Sequence, residues 1–290
     1  MSWLSVGLHQ RTIHVDGRVR HYLVYVPATA ALTRPVPVHL TLHGSNSNGQ
    51  VQLEFTGLND HADQHGYVVV YPFGTGARAR LLFWNAGICC GDAWEAGVDD
   101  VGFISNLLTD LEQLIPLDHE RIYISGMSNG AMMAYRLANE LSLRIAAIAA
   151  VAGPMAIRQV APQLPVSVIH IHGDQDEFTP FLGGNGPRSV TRTQHLSVPE
   201  TISAWVVANG CPALPAKTTL RPIVDDGTVV ELAEYGPGRD GAEVHLYTIL
   251  GGGHTWPNRP PRPYYLGKSS ANLIANDVIW QFFQRHRRNI

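Results

Sequence analysis

The chain has 290 residues, 45% of them hydrophobic and 16% charged, so it can bury a sizeable core and is not of disordered composition. Its formal charge of -3, with no block of like charges, argues against a nucleic-acid partner, and the C-terminal "RHRR" is too short to count as a basic patch. No segment approaches the ~18 uninterrupted apolar residues of a membrane span, and the start "MSWLSVGLHQRTIHV" has neither the basic nor the long apolar region of a signal peptide, so the chain as written reads as cytoplasmic and without a membrane partner.

In chain order, "RTIHVDGRVRHYLVYVP" reads as two alternating strands around an Asp16-Gly17 turn, an antiparallel hairpin at a sheet edge. The nearly continuous apolar runs "VPVHLTLHG", "GYVVVYP", "RIYISG", "IAAIAAVAG" and "VSVIHIHG" follow. Strands buried on both faces read this way, as in a parallel sheet covered by helices. Between them lie helical patterns. Ile104, Leu107, Leu108, Leu111 and Leu114 share one helix face, and Asp99 or Asp100 is expected to cap that helix. "NGAMMAYRLANEL" is a second helix, and "SVPETISAWVVANG" opens with Ser197 and Glu200 spaced as a capping box and stops at Gly210. A last helix is predicted over "SANLIANDVIWQFFQRH", with Leu273, Ile274, Val278, Ile279 and Phe282 on its apolar face. Strand and helix alternate from about residue 36 to the end, which predicts one α/β domain over residues 1–290 with a mostly parallel sheet and helices on both faces. The stretches "TPFLGGNGPRS" and "WPNRPPRPYYLGK" are loops at the carboxyl edge of that sheet, where open α/β sheets bind ligands.

The chemistry is carried by "IYISGMSNGAMMAY". A G-x-S-x-G match alone carries little weight, but here a strand precedes Ser128 and a helix follows it, the strand–turn–helix setting of a nucleophilic serine. Gly126 and Gly130 let strand and helix approach closely, and the turn lifts the hydroxyl beside the positive end of a helix. Such a serine needs a base, and the order in this kind of site is Ser, acid, His. His254, in "LYTILGGGHTWP", stands on a glycine-rich loop after an apolar strand and is the candidate base; His170 and His172 alternate along a strand and read as structural. The acid lies on the loop after that strand, where Asp174, Asp176 and Glu177 are all available and spacing does not choose among them. The oxyanion donors are expected from the amide of Asn129 and from "LHGSNSNG", where Gly44 permits close approach and Ser45 supplies its N–H. No metal or organic cofactor is needed. Cys89, Cys90 and Cys211 are too few for a disulfide framework; one of the adjacent pair could bridge to Cys211, or all three could be buried thiols.

Taken together, "LHGSNSNG", "FWNAGICCGDA", "VDDVGFI", "ISGMSNGAMMAYRLA", "HIHGDQDEFTP" and "GGGHTWP", in that order, give a chain that resembles the polyhydroxybutyrate depolymerase / feruloyl esterase group of α/β-hydrolases over nearly its whole length. The resemblance implies Ser128, Asp176 and His254 as the triad, since the family pattern H-G-x-x-D-x-x-x-P falls on His172, Gly173, Asp176 and Pro180. It also implies the Ser45 and Asn129 amides as the oxyanion hole, and relatives that are often secreted. The loop carrying Trp84 and Asn85 is implied to line the cleft. Trp84, Trp94, Phe178 and Trp256 are then expected as aromatic walls for an acyl group, the alternative for each being a large residue packed beneath a long loop. The implied activity is ester hydrolysis through an acyl-enzyme, on feruloyl or other aromatic esters or on polyhydroxyalkanoate-type esters. An acetyl (xylan) or broad short-chain esterase is the alternative; a serine peptidase or a non-catalytic polymer-binding module fits less well.

Overall fold

The computed structural model describes residues 3–78, 80–191, 193–260 and 266–288. The hairpin is β1 (Gly7–Val15) and β2 (Arg18–Val26), paired antiparallel with Val15 opposite Arg18. The apolar runs become β3 (Val36–Leu42), β4 (Val68–Pro72), β7 (Leu117–Met127), β8 (Ala147–Val151) and β9 (Ser167–Gly173). A short pair, β5 (Thr75–Arg78) and β6 (Leu81–Phe83), lies outside the main sheet. The main sheet closes with β10 (Ala216–Thr219), β11 (Val229–Tyr235) and β12 (Val244–Leu250).

Among the described residues ten strands form this sheet in the order β1-β2-β4-β3-β7-β8-β9-β12-β11-β10. The strands from β4 to β12 in that order run parallel, and antiparallel strands flank them at both edges. The second edge departs from strict strand–helix alternation. β10 is exposed throughout, and its sequence "AKTT" carries no apolar alternation to announce it.

Helices cover both faces. α1 (Gly49–Thr56), α2 (Leu58–His65) and α7 (Ala275–Arg285) lie on one, with Leu58, Ala62, Ile279 and Phe283 packed on Val69, Ala149 and Ile171. On the other are α4 (Asp100–Glu112), α5 (Asn129–Glu140) and α6 (Val198–Asn209), packed on Val38, Leu40, Ile124 and Ile148. Successive residues of β4, β7, β8 and β9 thus feed two cores, as the period of a strand requires. α6 starts with the expected capping box at Ser197 and Glu200 and ends at Gly210. α7 starts later than the apolar spacing predicts: Leu273 is buried ahead of it, and Ile274, at its N-cap, is 38% exposed.

Asp99, not Asp100, caps α4, accepting the Gly102 N–H at 2.7 Å. Asp100 is buried and pairs at 2.6 Å with buried Arg20 of β2, while its other oxygen accepts the Asn85 N–H at 2.8 Å. Burial raises the Asp100 carboxyl even against the adjacent guanidinium. The pair therefore ties the loop after β6 to the N-terminal hairpin.

The interior holds several histidines. His39 on β3 meets Ser125 Oγ at 2.7 Å, and burial lowers its pKa to about 3. Burial lowers that of His43 to about 4 and drives that of His170 well below the ordinary value. In the unfolded chain these imidazoles take up protons near pH 6.5. Native protein binds fewer protons than unfolded protein below that point, so stability falls as pH falls. Between pH 6.5 and 5 each such histidine is expected to cost about 1.4 kcal/mol per pH unit. Urea midpoints at pH 7, 6 and 5 read this directly; a flat series would contradict it.

Candidate active site

β7 runs into Ser128, which adopts φ 56° and ψ −120°, and α5 begins at the next residue. A non-glycine residue in that conformation is strained. The turn holds because its flanks interlock. A Cβ on Gly126 would overlap the Gly130 carbonyl, and one on Gly130 would overlap the carbonyl of Leu42 in β3. The helix therefore sits against β7 and the end of β3, and its first residue, Asn129, lines the cleft.

Asp176 lies on the loop after β9 with its carboxylate fully buried. Its Oδ1 accepts the N–H groups of Phe178 (2.8 Å) and Thr179 (2.9 Å). Oδ2 is 2.7 Å from His254 Nδ1 and 2.9 Å from the Thr179 hydroxyl, whose proton it shares with the Ala152 carbonyl at 2.8 Å. Burial pushes this carboxyl up. The His254 charge and the hydrogen bonds from His172 and His254 outweigh it, and the group stays far below the usual carboxylate range. Asp174 instead accepts the Gly251 N–H at 2.6 Å, and Glu177 pairs with Arg188 at 2.7 Å on the surface. Among the three acids, Asp176 meets the histidine.

His254 is held by its own backbone, its N–H donating to Leu266 at 2.7 Å, and its ring stacks on Phe178 at 5.0 Å. With Nδ1 donating to Asp176, Nε2 is left as the basic nitrogen. Ser128, His254, Gly44, Ser45 and Asn129 all line one cavity of about 460 Å³. A Cβ on Gly44 would lie 3.4 Å from the Ser128 Cβ, so the "HGS" loop runs directly beside the serine.

The sequence reading did not find what holds that loop. His43 Nδ1 donates to the Gly44 carbonyl (2.8 Å) while its Nε2 accepts the Gly74 N–H (3.0 Å), a pairing that fixes the tautomer of a neutral ring. The Asn129 side chain is equally committed. Its oxygen accepts the Trp84 N–H (2.7 Å) and its NH₂ donates to the Trp84 carbonyl (3.0 Å). This leaves only the Asn129 main chain for the cleft.

The aromatic walls differ from expectation. Trp84 is fully buried, its indole N–H donating to the His43 carbonyl at 3.0 Å, so it packs beneath the loop and does not line the cavity. Asn85 donates to the Val98 carbonyl at 3.0 Å and also stands outside the lining. Trp256 is fully buried with its N–H on Asn276 at 2.9 Å. Trp94 is 47% exposed and donates to the Gly87 carbonyl away from the cleft. The indole N–H groups of Trp84, Trp94 and Trp256 are thus all engaged away from the cavity. Phe178 does line the cavity, together with Phe55, Met127, Met132, Val51 and Val190. Part of the expected loop at residues 256–268, namely 261–265, lies outside the described residues.

Cys89 and Cys90 are joined to each other and not to Cys211, which is free with its Sγ 3.5 Å from the Ala242 carbonyl. Among the described residues no group of three or more His, Cys, Asp or Glu is arranged to hold a metal ion, and no helix is long and apolar enough to cross a membrane.

A parallel sheet wrapped by helices, with a serine on a strained strand–helix turn and an Asp–His pair on later loops of the same edge, defines an α/β-hydrolase. The chain belongs to the esterase family described as "Esterase PHB depolymerase", whose model matches residues 20–160. It is 30% identical over 288 residues to "Putative esterase NocK" of Nocardia uniformis subsp. tsuyamanensis, covering 94% of this chain and 81% of that one. It is 28% identical over 250 residues to "Feruloyl esterase B" of Piromyces equi, covering 81% of this chain and 42% of that one. Among solved structures, the acetyl xylan esterase from Aspergillus awamori superposes with a TM-score of 0.64 at 16% identity, over 96% of this chain and 99% of that one. The protein is a carboxylic ester hydrolase.

The strain at Ser128 can be read on its own. Ser128→Ala keeps the Cβ and the strain, whereas Ser128→Gly removes both. Ser128→Gly is expected to be more stable than Ser128→Ala by about 1 kcal/mol in thermal or urea unfolding; the reverse order would mean the turn is relaxed.

Proposed function

We propose that residues 1–290 form one catalytic domain that hydrolyses carboxylic esters through an acyl-enzyme on Ser128. His254 Nε2 takes the proton from Ser128 Oγ as the oxygen attacks the ester carbonyl. Asp176 holds the imidazole in the Nδ1–H tautomer and stabilises its cationic form. The tetrahedral oxyanion is bound by the N–H groups of Ser45 and Asn129. His254 then protonates the leaving alcohol, and a water molecule, activated by the same nitrogen, repeats the sequence on the acyl-enzyme. The observation that carries this reading is the buried 2.7 Å contact with Asp176 of His254, which lines the same cavity as Ser128.

The acyl group is proposed to be larger than acetyl. A cavity of about 460 Å³ walled by Phe55, Phe178, Met127 and Met132 suits an aromatic acyl group of the feruloyl kind or a hydroxyalkanoate chain. The relationship to a feruloyl esterase and to the depolymerase family supports the same two classes.

Ser128→Ala is expected to lower kcat on the order of 10⁴-fold or more, with KM nearly unchanged. Purified variant retaining most of its activity would remove Ser128 from the role. For the acyl group, kcat/KM on methyl ferulate is compared with that on p-nitrophenyl acetate, in wild type and in Phe178→Ala. A preference for ferulate that shrinks in the variant is expected; turnover of the acetate alone would assign the site to short acyl groups.

A further inference from the structure

The triad acid is not the end of its hydrogen-bond chain. Behind Asp176, away from the cleft, stand two histidines and a tyrosine to which the catalytic cycle gives no task. His172 Nε2 lies 2.8 Å from the Thr179 carbonyl and 3.3 Å from Asp176 Oδ2. His172 Nδ1 is 3.0 Å from His170 Nε2, and His170 Nδ1 is 2.7 Å from the Tyr135 hydroxyl. His170 and Tyr135 are completely buried and His172 is 1% exposed. Both imidazoles sit on β9, two residues apart and therefore on one face, stacked at 5.2 Å with planes 7° apart.

The direction of this chain is fixed from one end. The Thr179 carbonyl can only accept, so His172 Nε2 carries the hydrogen and offers the same hydrogen to Asp176 Oδ2. A neutral His172 then has a bare Nδ1, which accepts from His170 Nε2–H. His170 in turn has a bare Nδ1, which accepts from the Tyr135 hydroxyl. Burial, and then the neighbouring His172, hold His170 neutral, and burial keeps the Tyr135 hydroxyl protonated. Along this route the Tyr135 hydroxyl and the His170 Nε2–H each meet one acceptor, and the His172 Nε2–H is shared between the Thr179 carbonyl and Asp176 Oδ2.

We propose that His172, with His170 and Tyr135 behind it, is a positioning residue for ester hydrolysis: it donates the hydrogen bond that sets the orientation and charge density of Asp176 Oδ2, the oxygen that holds His254. Tyr135 stands on α5, the helix that Ser128 begins, so the chain also ties the acid to the helix that positions the nucleophile. The inference rests on the reading of Ser128, Asp176 and His254 as the triad.

Removing one donor from Oδ2 concentrates its negative charge on the contact with His254 and favours the imidazolium over the free base. The acidic limb of the kcat/KM–pH profile must then move to higher pH. The titratable groups facing this contact are His172 from β9 and His195 from the loop before α6, whose own pKa burial lowers to about 4. Glu54 of α1 and Arg259 of the loop after β12 line the same cavity. Of these groups only His172 is altered by the substitutions below.

The test compares purified full-length wild type, His172→Phe, His172→Gln, Tyr135→Phe and Asp176→Asn on p-nitrophenyl acetate, measuring kcat, KM and the acidic limb. His172→Phe keeps the ring volume without a donor, and His172→Gln keeps an N–H donor at a similar reach. The expected result for His172→Phe is a kcat about 10- to 100-fold lower with KM within about twofold, and an acidic limb higher by about 0.5–1 pH unit. His172→Gln is expected to restore both. Tyr135→Phe, which removes one oxygen, should move the limb the same way by less, and it decides the matter if His172→Phe does not fold. A wild-type limb in folded His172→Phe and Tyr135→Phe, whatever their rates, would overturn the proposal. Asp176→Asn separates the two readings: if it loses activity while the other limbs stay put, the relay alone fails; if it keeps activity, the triad reading fails and the relay with it.

Discussion

The close crossing of α5 over β7 and the end of β3 is the constraint on which the active edge depends. Helix and strand meet at Gly126 and Gly130, where no side chain fits between their backbones. That contact forces the chain at Ser128 into φ 56°. A relaxed turn would place the hydroxyl elsewhere and withdraw Asn129 from the cleft. Packing in a close-fitted interior stores this strain, as the surrounding core over-determines the backbone. The same approach brings Leu42 and His43 beside the helix, so the "HGS" loop and the serine are positioned by one contact and not by two.

Around that contact the polar interior is arranged as neutral, fully directed hydrogen bonds. Buried imidazoles are costly when charged and costly when unpaired. His43 meets both demands, donating to Gly44 and accepting from Gly74, and so holds the loop whose Ser45 lines the cleft. His39 and Ser125, and the chain from Tyr135 to His172, repeat the pattern within the sheet. The buried carboxylate Asp176 receives two backbone N–H groups besides its side-chain partners, which is what an ionised carboxylate needs in such a place.

The sequence makes the parallel strands, the hairpin and α6 legible, because each is dictated by local periodicity or by a cap. The order of Ser128, Asp176 and His254 is legible for a related reason: each follows an apolar strand and must emerge at the same edge. Choosing Asp176 over Asp174 needed more than spacing, and the structure separates them by what each carboxylate reaches. Of the four aromatic residues expected to wall the cleft only Phe178 lines it, and Trp84, Trp94 and Trp256 do not, because burial is a property of the whole fold. Nothing local to Trp84 reveals that its N–H reaches the carbonyl of a residue on the other side of the turn, at His43. β10 was missed since an exposed edge strand has no apolar face to write into its sequence. His170 and His172 alternate along β9 and read as structural, and only their distances to Asp176 and Tyr135 give them a direction.

In the proposed mechanism one loop carries both catalysis and shape. Residues 176–179 supply the acid, two of its backbone donors, the carbonyl that orients His172, and Phe178, whose ring both stacks on His254 and walls the cleft. A substitution that reshaped the acyl wall at Phe178 would therefore also disturb the base. Val51 and Phe55 on α1 line the same cavity from another element, with no hydrogen bond to Ser128, Asp176 or His254 among the described residues. Substrate range can change there at little cost to the chemistry, so differences in acyl preference between chains of this family are expected on that wall, while the loop behind the acid stays fixed.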